Sequence, residues 1–164
     1  MNDIFISFLR KYNIYYEDVF NYFENNKTSI DKVYFNNGFI GCYLKLENGI
    51  LKRVKIVAPS LDNYIDVSIN IHEYVHMIRL YKNLNKHFCL TKYEEVLPIF
   101  YEFLFLYDNL NEECINFLIY YKQCLLLSKN ENTIKALNIC DELLSEYNKD
   151  SIDTLNEKVR KRFI

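Results

Sequence analysis

Residues 71–77 read Ile71-His72-Glu73-Tyr74-Val75-His76-Met77, an H-E-x-x-H sequence inside the apolar stripe Val67, Ile71, Tyr74, Val75, Ile78 and Tyr81. That stripe has helical spacing and predicts a helix capped by Ser60 or Asp62 and running to about Lys82. Positions i and i+4 of a helix differ by about 40° around its axis, so His72 and His76 point the same way. Such a helix must bury one side in the core and turn both imidazoles toward a common point. Two imidazoles so placed each offer one nitrogen to a single Zn2+ ion, with Glu73 beside them. The ion lowers the pKa of a bound water to about 7, and a carboxylate that is not itself a ligand then takes the proton. The competing expectation is a helix face with two histidines satisfied by ordinary hydrogen bonds.

The rest of the chain sorts by period. Ile4, Phe5, Phe8, Leu9 and Tyr12 predict a first helix near 3–12. Tyr15, Tyr16, Val19, Phe20 and Phe23 predict a second, ended by Asn25-Asn26. The period then changes to two. The turn signals Asn36-Asn37-Gly38 and Glu47-Asn48-Gly49 separate three alternating runs, about 32–36, 39–46 and 50–58. They read as a three-stranded antiparallel meander closed by Pro59. Thr91-Lys92-Tyr93-Glu94 has the form of a capping box, so a helix is expected from about Lys92 to Asp108. Pro98 lies too deep for a first-position proline and is expected to bend that helix or loosen its first turns. Further helices are expected near 112–128, 131–148 and 151–162. No repeat or linker interrupts them, and the expectation is one α+β domain over 1–164.

A catalytic zinc usually takes three protein ligands and leaves the fourth position to water. The metzincin pattern needs Gly three residues and His six residues after the second histidine. Arg79 and Lys82 stand there, which excludes that class. The only other histidine, His87, falls in the loop beyond the helix and is a weaker candidate. Glu94 is engaged by the capping box, which leaves Glu95 freer, and Glu102 is the runner-up. Eighteen residues separate His76 from Glu95.

With the pattern H-E-x-x-H-x18-E, about Val33 to Glu102 resembles the gluzincin metallopeptidases. In that family a second helix supplies a glutamate at about this distance. The resemblance implies a small zincin-like domain: a three-stranded antiparallel sheet, an active-site helix, a glutamate helix and a C-terminal helical bundle. It implies His72, His76 and Glu95 as zinc ligands and Glu73 as general base. Val33-Tyr34-Phe35-Asn36 is similar to the edge strand those enzymes place beside the cleft. Glu95-Val96-Leu97-Pro98 through Glu102 resembles the Glu-x-Pro helix of thimet-type oligopeptidases, whose spacing favours Glu102 as the ligand. Glu95 and Glu102 are seven apart and share a face, so the one that does not ligate is placed to support a histidine. No further histidine remains to stabilise an oxyanion. Tyr107, Tyr120 and Tyr121 follow the ligand helix, but among fifteen tyrosines none stands out.

Half the residues are hydrophobic and 26% are charged, which is globular rather than disordered composition. A net charge of −2 gives no electrostatic ground for nucleic acid. The basic run Lys158, Arg160, Lys161 and Arg162 fits a last helical turn instead. No apolar run reaches the ~18–20 residues of a membrane span. Met1-Asn2-Asp3-Ile4-Phe5 lacks a basic n-region, and five cysteines without C-x-x-C spacing read as reduced, mostly buried thiols. A cytoplasmic location is expected. Three functions compete. The leading one is peptide-bond hydrolysis by a compact zinc metallopeptidase acting on a peptide or protein. Next comes a zincin-like regulatory or toxin-like effector domain with little hydrolysis. Last is a helical interaction protein with an accidental motif.

Overall fold

Among the described residues, strand β3 (Ile50–Pro59) is the centre of a three-stranded sheet in which β1 (Lys27–Ile30) pairs with it in parallel and β2 (Gly41–Glu47) pairs antiparallel. The computed structural model describes residues 1–30 and 40–163. Its sheet is therefore mixed, in the order β1-β3-β2, and not the antiparallel meander expected from the period-two runs. The expected strand at 32–36 lies outside the described residues. The parallel partner is the polar stretch Lys-Thr-Ser-Ile, which continues directly from α2 (Glu17–Asn26). Such a stretch carries no alternating apolar signal.

The β2–β3 hairpin follows its turn chemistry. Glu47 pairs with Ile50 across Asn48 (φ 52°) and Gly49 (φ 76°), the two positive φ values that a tight primed turn requires. A register shift follows at once between Lys45 and Leu46.

Helix α3 (Tyr64–Lys82) lies against this sheet and is buried on nearly every side from Asp66 to Leu80. Its cap is Asn63, whose side chain accepts from the Asp66 N–H at 2.9 Å, and not Ser60 or Asp62. Asn70 ties the helix to the end of β3 by donating to the carbonyls of Pro59 (2.9 Å) and Asp66 (2.8 Å). On the face away from the histidines, the Tyr74 ring meets Phe5 of α1 (Asn2–Lys11) and Phe20 and Phe23 of α2 at 5.6–6.2 Å between centroids.

Helix α4 (Val96–Asp108) begins four residues later than the capping box suggests, with residues 92–95 forming a turn. Pro98 is the reason. Its ring would strike the carbonyl of residue i−4, which is Glu94, so Glu94 cannot belong to the same helix. Placed in the first turn, the proline costs no hydrogen bond. Helix α4 is buried almost all round, packing on α3, α5 (Glu112–Leu127) and α6 (Glu131–Glu146). Helix α7 (Ile152–Phe163) closes the bundle through Ile152, Leu155 and Val159. Asn111 and Asn130 cap α5 and α6. All five cysteines are free thiols. Cys114 and Cys140 are buried, but Cys89 and Cys124 are exposed, so the thiols are less uniformly buried than expected. Among the described residues, no helix is long and apolar enough to cross a membrane.

Candidate metal centre

His72 and His76 project from successive turns of α3 with their Nε2 atoms 3.3 Å apart. Glu95, at the N-terminal boundary of α4, brings its Oε2 to 3.3 Å from His72 Nε2 and 3.5 Å from His76 Nε2. The three donor atoms form a nearly equilateral triangle. Ligands about 2.0–2.2 Å from a tetrahedral ion stand about 3.3–3.5 Å apart, so this triangle has the dimensions of one face of a zinc site.

The tautomer of His72 sharpens the argument. Its other nitrogen, Nδ1, lies 2.9 Å from Oε2 of Glu102, which is 2% exposed. A proton on Nδ1 donates to that carboxylate and leaves Nε2 as a lone pair. That lone pair faces the Glu95 oxygen and the second imidazole nitrogen. Three electron-rich atoms at this spacing repel one another unless a proton or a cation stands among them.

The protonation tendencies follow from the same contacts. Burial pulls the His72 pKa down, but hydrogen bonds to Glu102 and Glu95 outweigh it and hold the ring well above its ordinary value. Burial pushes the Glu95 carboxyl up, yet hydrogen bonds from His72 and His76 carry it far below the usual carboxylate range. Glu102 ends above that range, because burial exceeds the opposing hydrogen bond to His72, and the charges of Glu73 and Glu95 add to it. An extra proton on His72 thus does, without metal, what a cation does with it.

Glu73 is 5% exposed, and its Oε2 is buried with no hydrogen-bond partner among the described residues. A buried carboxylate oxygen left without a donor is costly. It borders the same cavity of about 400 Å³ as His72, His76 and Glu95, whose opposite wall is Gly41, Cys42 and Leu44 of β2. The Cys42 thiol lies 3.7 Å from the Glu73 carbonyl. Burial first, then the Glu73 charge, drives its pKa far up, so it stays a thiol.

The donor set of two imidazoles and a carboxylate, the triangle they form and the orphaned Glu73 oxygen all fit a zinc ion. His72, His76 and Glu95 would hold it, with Glu102 behind His72. His87 is not part of the cluster. It is exposed and bridges Ile50 beside the β2–β3 turn. Tyr107 and Tyr120 are exposed. The half-buried Tyr121 has its phenol pushed well up by burial, then by the charges of Glu102, Glu95 and Glu73.

Sequence reasoning missed one connection. Glu94 does accept from Thr91, through both its N–H (2.7 Å) and its hydroxyl (2.8 Å). It also pairs with Arg79, one turn beyond His76 on α3. Neither a protein-family model, nor a curated protein, nor a solved structure matches this chain.

Proposed function

We propose that the chain is a zinc-dependent peptidase whose metal is held by His72, His76 and Glu95. One observation carries the reading: two imidazole nitrogens and a carboxylate oxygen converge at 3.3–3.5 Å beside a buried carboxylate oxygen that has no hydrogen-bond partner among the described residues. When bound, zinc supplies Lewis acidity, bringing the pKa of water to about 7 and polarising a carbonyl.

The rest falls to the chain. Glu73 takes a proton from the attacking water at its free Oε2 and returns it to the leaving amine. Glu102 fixes the His72 tautomer and orients the ring. The β2 wall of the cavity supplies the surface along which a peptide lies beside these groups. Zincin-like architecture belongs to the same proposal.

A second reading, a zinc-binding regulatory or effector domain that hydrolyses little, is favoured by the cavity wall. Among the described residues lining it, no side-chain hydroxyl, amide or arginine faces the position of a developing oxyanion. The two separate in one experiment. Zinc-loaded wild type and Glu73→Gln are incubated with a mixed peptide library, and cleavage is followed by mass spectrometry. The peptidase reading expects cleavage by wild type and a loss of about 10²–10⁴-fold in the variant at unchanged zinc content. Zinc-replete wild type that cuts nothing overturns it in favour of the second reading.

A further inference from the structure

We infer that Arg79 is a positioning residue for the metal centre, bracing the turn that carries Glu95 against the helix that carries the two histidines. The inference rests on the zinc reading above. Its starting point is the weakness of Glu95's own support. His72 and His76 are fixed by a long, buried helix, whereas Glu95 sits at the end of the 92–95 turn with backbone φ −83°, ψ −13°, its side chain half-exposed. Pro98 keeps the turn from joining α4. Its backbone ties are short-range: Val96 N–H to the Tyr93 carbonyl (3.2 Å) and Ile99 N–H to the Glu95 carbonyl (3.0 Å). A metal ligand must be held to about 0.5 Å, and a ligand on a turn needs support from outside.

Arg79 supplies it from α3, three residues after His76. Its guanidinium pairs with the carboxylate of Glu94, the residue immediately before Glu95. That carboxylate is already fixed by the Thr91 N–H and hydroxyl. The same guanidinium donates through Nη2 to the Cys89 carbonyl at 3.4 Å and lies over the Phe88 ring at 5.1 Å. One side chain thus meets the incoming segment at Phe88, Cys89 and Glu94. A planar fork makes these contacts together, and an ammonium does not. The distance from the His72–His76 face to Glu95 is thereby set through a link that starts one helical turn from His76. An ordinary ion pair on a half-exposed surface would stabilise the fold slightly and leave metal affinity untouched.

The test uses the full chain as wild type, Arg79→Met, Glu94→Gln, the double variant and Arg79→Lys. Zinc dissociation constants come from competition with a chromophoric chelator, and Co2+-substituted samples give visible spectra. Each single variant is expected to bind zinc about 10–100-fold more weakly, as for loss of a residue that orients a ligand. The double variant should lose no more than the weaker-binding single, because both break one link. Arg79→Lys should fall between wild type and Arg79→Met. The intense Co2+ bands of a tetrahedral site should weaken in Arg79→Met, while melting of the metal-free protein moves by only a few degrees. Should Arg79→Met fail to fold, Glu94→Gln carries the same test, since it removes only the charge. Wild type that binds zinc alongside variants within twofold of it overturns the brace alone, as do losses that simply add. Wild type that binds no zinc overturns the metal reading and the brace with it.

Discussion

The Nδ1 of His72 and the Oε2 of Glu102 lie 2.9 Å apart inside the bundle, both side chains nearly sealed from solvent. This contact decides which His72 nitrogen faces the cavity, and it distinguishes the roles of the two glutamates. Glu102 reaches only the far nitrogen, so its removal should loosen the ring without deleting a ligand. Glu102→Ala is expected to weaken zinc binding about 10–100-fold, measured by chelator competition. Glu102→Gln, whose amide oxygen still accepts from Nδ1–H, should lose less.

Glu95 should behave differently, because its Oε2 is one corner of the triangle itself. Glu95→Ala removes a ligand, and zinc affinity should fall well beyond the Glu102 range, by orders of magnitude. If instead the Glu102 variant comes out metal-free while the Glu95 variant keeps its zinc, the assignment is reversed and the thimet-type spacing describes this chain.

Much of this arrangement is legible in the sequence, for identifiable reasons. The histidine helix announces itself by its period, the hairpin by Asn48-Gly49, and α5 to α7 by their stripes and caps, within two residues at each end. Local chemistry fixes each of these. What depends on distant pairing is not legible. Lys27–Ile30 has no apolar alternation and becomes a strand because β3 offers a partner edge. The start of α4 is set by Pro98, whose clash with the residue four positions back overrides the capping-box pattern. The Arg79–Glu94 link was hidden because it depends on a loop returning to its own helix.

Tyr74 lies between the two histidines in sequence but on the opposite side of α3, in the core. Its hydroxyl donates to the Ile14 carbonyl and accepts from the Tyr16 N–H, both at 3.1 Å. Tyr74→Phe strands those backbone groups and should cost about 1–3 kcal/mol in denaturant unfolding, with the zinc site intact.

The same phenol gives a pH dependence. Burial raises the Tyr74 pKa from 10.0 to about 12, and burial with the Asp108 hydrogen bond raises Tyr12 likewise to about 12. Between these values the unfolded chain has lost protons that the folded chain keeps, so rising pH favours unfolding. The stability these groups contribute is present in full below about pH 10 and is lost as pH passes about 12. Chemical unfolding across that window should show falling stability, with a shallower fall in Tyr74→Phe.

The convergence of His72, His76 and Glu95 on one cation is tested most directly by metal content. Wild type and the His72→Ala/His76→Ala double variant are purified, incubated with excess zinc, desalted and measured by elemental analysis against protein concentration. About one zinc per chain in wild type and none in the double variant is the predicted result. Stoichiometric zinc retained by the double variant, or wild type free of metal after loading, would contradict it.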